Sequence, residues 1–518
     1  MMTRETLYDA ITEVKDELII EARETKPAKS RVRWLKFGSI AAAAALVVGL
    51  GAGVFSGKIP WLPIGGSAGG SGHNEGSTFM SYAGPVFPLT TVEGGEGLTA
   101  EREITYDFQG WMAGDPDHPY YGLPVTDSYT LTNPTGEDRD VTLLYPFVGG
   151  FYMREGYDRY PVLTVDGEEV DAGLLTGKYS HLNVGRSGGL PSMNNPESWT
   201  EYRTLLSDGR YQASALEDWP DLSDIPATVY EITNPWVAED AEAEHPNIHA
   251  AFSFDSRKTR ILSYNFNGGS FDPENGTRRN SFDVPQPPAA GSSVDPDFYE
   301  KERAERHYII TIGEPVDSFQ TLGVSDGNPA STNYLEWGVE IGADVRQYET
   351  DLDSALRTVF DIHYADYSTI AGADMLFGAM KDALLDTGIL LDDPGERYDL
   401  AFLEDLDFPV FNRVFYLKAQ VTIPAGESVA VEASYLKEGS YDFACTGSEN
   451  KSVYGYDLVT KLGANLDFTA QTAKTVNTEG VEIVRQNFGF DWENGVDTVT
   501  LDQNEEHYYL EVRKATKK

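Results

Sequence analysis

Two histidines stand four residues apart in a run rich in carboxylates, which is the arrangement most suggestive of metal chemistry in this sequence. His245 and His249 follow Glu242 and Glu244. On one face of a helix, two imidazoles at this spacing with a nearby carboxylate would suit Zn²⁺. Pro246 disfavours a helix at this point. We therefore interpret the run as a solvated loop and expect no metal and no cofactor.

Two other segments resemble fragments of oxygen-rich Ca²⁺ loops. They run from Asp272 to Gly276 and from Asp491 to Asp497, and each contains the dipeptide Asn-Gly. Neither has the full spacing of an EF-hand, which also needs a distal bidentate glutamate. Since Asn-Gly is the strongest short signal for a hairpin turn, we predict that both segments are turns.

The sequence contains no zinc-protease motif, phosphate loop or dinucleotide fingerprint. With 83 Asp and Glu residues, carboxylate pairs suited to glycoside hydrolysis could arise in many places, and no pair is favoured. The single cysteine, Cys445, lies where strand alternation would bury it, and we interpret it as a small core residue. We predict no catalytic residue and a protein that is not an enzyme.

Only one uncharged, mostly apolar run, residues 37–55, is long enough to cross a bilayer as a helix. Basic residues crowd its N-terminal side, among them Arg31, Arg33 and Lys36, and Trp34 suits the interface. The positive-inside rule then places residues 1–36 in the cytoplasm and the rest outside the cell membrane. A cleaved signal peptide, with processing near residues 51–53, is the alternative.

The segment before the span has the pattern of an amphipathic helix. Between residues 3 and 24, one apolar stripe repeats at helical spacing and consists of Leu7, Ile11, Val14 and Leu18. A lone helix has no core to receive this stripe, and its acidic face argues against lipid. We predict that the stripe binds a cytoplasmic partner. The alternative is a solubilising stub that only assists membrane insertion.

The residues after the span form a tether and then an acidic body. Residues 65–78 are rich in glycine and serine, and they predict a flexible tether with an end-to-end distance of about 20 Å. The chain carries a formal net charge of −43. A surface this acidic repels nucleic acid and anionic lipid, so neither is expected as a partner of the body. Dispersed acidic charge also keeps an exported protein soluble.

From about residue 85, short period-two segments separated by turns predict a mostly β protein, with tandem antiparallel β-sandwiches of Ig-like type. Helical spacing at 351–364 and 373–387, the latter closed by Gly388, predicts two inserted helices. The expected strand features are a hairpin from Tyr129 to Tyr145 turning at Asn133-Pro134-Thr135-Gly136, a turn at Asp166-Gly167, a strand from Ala227 to Thr233 ended by Asn234-Pro235, strands around Val421–Ile423 and Val429–Tyr435, and a strand from Tyr308 to Ile312 after an exposed loop at 284–293.

These patterns divide the chain into five parts. They are a cytoplasmic helix with its basic stop, a transmembrane helix, a tether, one β-sandwich domain and a second one with a helical insertion near 346–404. In the same order, the boundaries are 1–36, 37–55, 56–80, 81–230 and 231–518.

The first 60 residues resemble the N-termini of membrane-anchored extracytoplasmic proteins of Clostridia-type bacteria, some of which are similar to transmembrane anti-sigma factors. The resemblance is carried by the run Glu5-Thr6-Leu7-Tyr8-Asp9-Ala10-Ile11, the basic stop Arg33-Trp34-Leu35-Lys36 and the Ala-rich span. It implies a single-pass protein whose cytoplasmic helix docks a sigma factor or another regulator. The chain departs from the pattern because it lacks the His-x-x-x-Cys-x-x-Cys zinc motif and because residues 1–36 are few for clamping a sigma factor.

Two functions from different classes follow. The first is a surface protein whose outer β-sandwiches bind or sense an unknown ligand of the cell envelope. The second is a membrane-tethered hydrolase acting on glycans, which would need a cleft with two carboxylates about 5–10 Å apart.

Overall fold

The structure, a computed structural model, describes residues 79–109, 111, 122–151, 160–178, 196–272, 275–288, 296–328, 331–364, 371–390, 403–406, 408–409, 412–442 and 449–515. The predicted cytoplasmic helix, span and tether up to residue 78 lie outside the described residues. So do the predicted site residues Leu7, Ile11, Val14, Leu18, Arg31, Arg33, Trp34 and Lys36, and also Cys445. Across these described ranges, no helix is long and apolar enough to span a membrane.

The described part of the chain is mostly β, as predicted, with several antiparallel sheets and five α-helices. The strands are β1 Thr90–Glu93, β2 Thr99–Asp107, β3 Leu123–Thr132, β4 Arg139–Gly149, β5 Val162–Val165, β6 Glu168–Glu169, β7 Gly173–Thr176, β8 Pro226–Val237, β9 Asn247–Ser253, β10 Thr259–Tyr264, β11 Gly268–Asp272, β12 Thr277–Asp283, β13 His307–Gly313, β14 Asp317–Val324, β15 Tyr334–Leu335, β16 Ile341–Asp351, β17 Arg413–Ile423, β18 Ser428–Lys437, β19 Tyr454–Val459, β20 Asp467–Val476, β21 Val481–Gln486, β22 Thr498–Thr500 and β23 His507–Lys514. The helices are α1 Trp199–Leu206, α2 Arg210–Ser214, α3 Pro296–Arg303, α4 Leu352–His363 and α5 Ala373–Asp386.

These strands form five sheets, which we label A to E. Sheet A has the order β1-β4-β17-β7, sheet B β22-β20-β2-β3-β18-β5-β6, sheet C β19-β23-β21, sheet D β10-β13-β8-β16 and sheet E β11-β12-β9-β14-β15. Sheets A and B therefore combine strands from the beginning of the body with strands from its end. Sheets D and E use only strands from the middle of the sequence.

The connection between β3 and β4 corrects one prediction. The two strands exist, but they do not pair as a hairpin, since β3 pairs with β2 and β18 in sheet B and β4 pairs with β1 and β17 in sheet A. The turn after Asn133 carries the chain from one sheet to the other. The later turn between β17 and β18 also connects sheet A to sheet B. We call these two connections arches, and they lie side by side because β3 pairs with β18 and β4 pairs with β17.

Asn133 holds these two arches together. Its buried side-chain amide donates to the carbonyl oxygens of Ile423, at 3.0 Å, and of Glu137, at 2.8 Å. Its backbone N–H donates to the carbonyl oxygen of Glu427 at 2.9 Å. A turn signal of the Asn-Pro type specifies a reversal of the chain, but it does not specify whether the next strand returns to the same sheet.

A second correction concerns the strand at residues 227–233. Strand β8 does not end at Asn234-Pro235 but continues to Val237, with a shift of register opposite β16. Asn234 has a φ of 51°, and Asn tolerates this left-handed conformation better than most residues. The Asn-Pro pair is therefore a bulge within a strand rather than its end. Strand β8 also crosses residue 230, where the sequence places a domain boundary, and the division into two sandwich domains stays a prediction.

Other local predictions are confirmed. Helices α4 and α5 lie within one or two residues of the predicted ranges, and Gly388, with a φ of 71°, follows α5. The turn between β5 and β6 is a tight hairpin in which Asp166 and Gly167 have φ values of 50° and 82°. Both central residues of a type I′ turn need positive φ, which explains the Asp-Gly pair.

Sheets D and E meet through side chains from their facing surfaces. Tyr230 of sheet D stacks on Phe319 of sheet E with ring centroids 4.0 Å apart, and His307 stacks on Phe282 at 3.6 Å. Helix α4 packs against strands of sheet D and buries its apolar stripe, which consists of Leu352, Ala355, Leu356, Val359 and Phe360. Sheet D is therefore covered on both faces at its strands β10 and β13, which explains why nearly all their residues are buried, whereas the edge strand β16 is mostly exposed.

Candidate functional site

His245 lies just before strand β9, and His249 lies within it. His249 is 1% exposed, so the prediction of a solvated loop is wrong for this residue. The backbone N–H of His245 donates to the carbonyl oxygen of Ser325. Burial, with a contribution from Arg279, lowers the pKa of His249. In the ranges that the structure describes, no three His, Cys, Asp or Glu side chains are grouped to hold a metal ion.

The two Ca²⁺-like segments adopt turns, as predicted. Asp272 accepts hydrogen bonds from the backbone and the side chain of Asn275, at 3.2 and 2.8 Å, in the hairpin between β11 and β12. Asp491 makes the same pair of bonds with Asn494, at 3.2 and 2.7 Å. Each aspartate is thus engaged in shaping its own turn.

A different cluster brings titratable and aromatic side chains together from distant parts of the chain. Both Tyr82 and His507 bond the same carboxylate oxygen of Asp457: the Tyr82 hydroxyl donates to Oδ2 at 2.6 Å, and His507 Nε2 lies 2.9 Å from it. The indole of Trp199 stacks on the His507 ring with centroids 4.7 Å apart and an interplanar angle of 9°. We call these four residues the His507 cluster.

The elements around the cluster explain its geometry. His507 begins β23 and lies opposite Val459, at the end of the neighbouring strand β19. Asp457 is two residues earlier on β19 and therefore projects from the same face of sheet C. Trp199 begins helix α1, whose N-terminus is capped by the Ser198 hydroxyl accepting from the backbone N–H of Glu201 at 3.3 Å. The helix thus places an indole over an imidazole that the sheet presents.

Two buried titratable side chains, those of Lys437 and Tyr82, are influenced by the charge of Asp457. Burial lowers the pKa of Lys437 to about 8, although Glu438 and Asp457 oppose this effect. Its Nζ donates to the carbonyl oxygens of Ala83 and Glu438, at 2.8 and 3.1 Å. Burial, followed by the charge of Asp457, raises the pKa of Tyr82 well above its ordinary value. The tyrosine therefore stays a neutral donor to the Asp457 carboxylate.

A polar rim surrounds the half-buried imidazole. Arg203, on helix α1, pairs with Glu506 at 2.6 Å, and their side chains are 58% and 40% exposed. Asn487 accepts from the backbone N–H of Tyr509 at 2.8 Å and donates to the carbonyl oxygen of His507 at 3.0 Å. The His507 side chain is 17% exposed. The rim therefore offers charged and amide groups, contributed by helix α1 and by residues next to β21 and β23.

The cluster shares one feature with a catalytic triad. A carboxylate that bonds one imidazole nitrogen is half of a catalytic triad, but the triad also needs a nucleophile within hydrogen-bond reach of the other nitrogen. Across the described residues, the side-chain hydrogen bond of His507 goes to Asp457, and no Ser, Thr or Cys bonds its ring.

Sequence reasoning missed this cluster because its members are far apart in the chain, with Tyr82 and Asp457 separated by 375 positions. One local signal was present. Asp457 stands within the apolar run Tyr454–Val459, and a charged residue in such a run needs a buried partner. The sequence does not name that partner.

Comparisons with known proteins give no family for the chain. No protein-family model matches it, and no curated protein matches it.

Proposed function

We propose that the chain is a single-pass membrane protein with a cytoplasmic N-terminus and a large extracytoplasmic body that binds or senses a ligand of the cell envelope. The apolar run at 37–55 and the basic residues before it support this topology. The observation that carries the binding role is the His507 cluster. It holds an imidazole between a carboxylate and an indole and has an exposed charged rim, and among the described residues no Ser, Thr or Cys bonds the imidazole.

The body is proposed to consist of β-sandwiches of Ig-like type. The aromatic contacts between the facing surfaces of sheets D and E support a two-layer arrangement in the middle of the chain. The side-by-side arches support a second one formed by sheets A and B, because each arch joins a strand of one sheet to a strand of the other. Rigid sheet layers of this kind suit presentation of a binding face.

Ligand binding is tested with the full chain in detergent and with envelope components as separate probes: peptidoglycan, wall polysaccharide and wall peptides. We expect one probe to bind, and Arg203→Ala and His507→Gln to weaken that binding. Tyr334→Ala is the matched control, since Tyr334 is 50% exposed on β15, outside the cluster. Equal affinity of all variants would refute the role of the cluster. Release of sugar from the polysaccharide would favour the membrane-tethered hydrolase instead.

Topology is tested separately by adding protease to intact protoplasts. The proposal expects loss of the body and protection of residues 1–36. A soluble mature protein that begins near residue 53 would establish the cleaved signal peptide and remove the anchor from the proposal.

The cytoplasmic helix is proposed to dock a regulator, a sigma factor in the manner of an anti-sigma factor. Its support is the stripe of Leu7, Ile11, Val14 and Leu18, whose spacing suits a helix lying in a partner's groove. Capture of a sigma factor by residues 1–36 would support this role. If Ile11→Asp abolishes this capture, the apolar stripe is the surface that binds the sigma factor.

A further inference from the structure

The first residues of the body make many contacts with residues 440–465, which come much later in the chain. We call residues 79–93 the N-terminal segment. Ser81 and Tyr441 exchange backbone hydrogen bonds of 2.9 Å, and the backbone N–H groups of Met80 and Ala83 donate to the side chains of Asp442 and Ser440. Further contacts tie Tyr82 to Asp457, Val86 to Leu458 and its neighbours, and Thr90 and Thr91 to Asn465. Most of these partners lie more than 350 positions away in sequence.

The middle of the N-terminal segment runs parallel to β19, whereas Ser81 forms an antiparallel bridge with Tyr441 and β1 pairs antiparallel with β4. Val86 forms a parallel bridge with Leu458, in which its N–H donates to the carbonyl oxygen of Asp457 at 2.8 Å and its carbonyl oxygen accepts from Val459 at 2.9 Å. Strand β2 then pairs in parallel with β20 over its whole length. Val86 and strand β2 are therefore each paired in parallel with a later strand, β19 and β20 respectively.

The two ends of β19 consequently differ. At its start, Gly455 approaches the Phe79 ring so closely that an added Cβ would lie 2.5 Å from it. The antiparallel strand β23 also ends there, because Val512 lies opposite Tyr454. At the other end of β19 lie Val459 and His507. The start of the N-terminal segment and the end of β23 are therefore at one end of sheet C, and the His507 cluster is at the other.

The resistance of paired strands to force depends on the ends at which the force is applied. When parallel strands are pulled at opposite ends, all their hydrogen bonds are loaded together and must break together. When two segments are pulled from the same end, the bonds break one after another. A pull on residue 79 against a point beyond Val459 is of the first kind, whereas a pull on residue 79 against the end of β23 is of the second.

We infer that the N-terminal segment is a load-bearing clasp, which resists a pull between the N-terminal anchor and the His507 end of the body. The inference rests on the proposed function, because a tethered protein holding an immobile envelope ligand would carry load between these two points. It assigns the parallel pairing a purpose beyond stability. It also makes the His507 end of sheet C the end suited to an immobile ligand.

The test applies force to single molecules of the full chain in two geometries. Both share a handle at the N-terminus and carry Cys445→Ser. The second handle is attached either through Lys461→Cys, at an exposed position just after β19, or at the C-terminus. We expect a higher rupture force with the handle at residue 461. Equal forces, or a higher force from the C-terminus, would overturn the inference.

A proline variant tests which bonds bear the load. Val86→Pro removes the N–H that donates to Asp457, and loss of one such bond corresponds to about a fivefold faster unfolding rate. We expect this acceleration with the handle at 461. Val345→Pro on edge strand β16 is the control and should leave that rate unchanged; equal acceleration by both would overturn the inference. No ligand or membrane is present, so these outcomes are independent of the proposed binding and topology. The comparison of geometries stands even if Val86→Pro does not fold.

Discussion

The ion pair between Arg102 and Asp127 is predicted to be the polar contact on which the stability of sheet B depends most. Both side chains are fully buried, and the guanidinium donates to both carboxylate oxygens, from Nε at 2.7 Å and from Nη2 at 2.9 Å. Burial opposes the charge on Arg102, but Asp127 more than offsets it, so the pKa of Arg102 is raised. Tyr129 adds a hydrogen bond of 2.7 Å to the same carboxylate.

Removing one partner leaves the other charge buried without compensation. We expect Asp127→Leu to lower the free energy of unfolding by about 3–5 kcal/mol, the usual cost of breaking a buried pair from one side. The double variant Arg102→Met, Asp127→Leu should cost less than Asp127→Leu alone, because no buried charge remains. It should still cost about 1–3 kcal/mol, because Arg102 Nη1 also donates to the carbonyl oxygen of Val459 at 2.8 Å.

The measurement is urea unfolding of the four members of this double-mutant cycle in the full chain, followed by tyrosine and tryptophan fluorescence. The matched control is Arg257→Met, which removes an arginine whose side chain is 86% exposed in its pair with Asp255, and it should change stability far less than Asp127→Leu, because water screens exposed charges. If Asp127→Leu costs no more than this control, or the double variant costs the sum of the single ones, the pair is not an isolated buried charge pair and the reasoning fails.

Three other outcomes are expected. Burial lowers the pKa of His307 to about 4, despite its bond to the carbonyl of Asn265. The unfolded chain therefore binds the extra proton between pH 6.5 and 4, and as the pH falls through that window His307 should lower the unfolding free energy by about 3 kcal/mol. Denaturation curves of His307→Asn should show a fall that is smaller by this amount. Gly378→Ala should destabilise by about 1–3 kcal/mol despite the better helix propensity of Ala, because its Cβ would lie 2.2 Å from the Trp219 ring; a raised melting temperature would contradict this. Ile11→Asp should abolish capture of a cytoplasmic partner and leave membrane insertion intact, and an unchanged pull-down profile would mean that the N-terminal tail only aids insertion.

Local signals in the sequence were sufficient wherever neighbours along the chain decide the structure. The apolar residues at helical spacing are buried in both helices, as one stripe in α4 and as part of a wider buried surface in α5. The Asp166-Gly167 turn needs two residues at positive φ, and that need can be read from two letters. In these cases the residues that cause the structure are adjacent in the sequence.

The failures share a physical cause. Asn133-Pro134 and Asn234-Pro235 carry the same turn signal, yet one turns the chain into another sheet and the other bulges inside a strand. What differs is the partner: β17 and β18 lie beside the first site, and β16 lies beside the second. The local conformation of both is within reach of sequence reasoning. The identity of a strand's neighbour about 290 residues away is not.

The buried polar groups show the same limit, but the Arg102–Asp127 pair is an exception. Alternation along β2 places Arg102 on the face that carries Ala100 and Ile104, so the sequence already marks a charge directed into the core. A buried arginine requires a carboxylate, and Asp127 on β3 occupies an equally apolar row. That pair could have been proposed from pattern alone. The His507 cluster could not, because Trp199 reaches it from a helix that no strong periodicity announces.

The topology also limits when the body can complete its structure. Strands β2, β3 and β4 lie early in the chain, but β20, β18 and β17, which flank them, follow the whole of sheets D and E. Before those later strands arrive, β3 and β4 would have unpaired edges, and such edges invite pairing with other chains. Sheets D and E can form in the meantime, because each pairs only strands of the middle of the sequence. The N-terminal segment is held by residues 437–465, so the clasp closes only after nearly the whole chain is available. Because the N-terminal segment is held by residues from late in the chain, the body can carry load only after those residues have been synthesised and have folded.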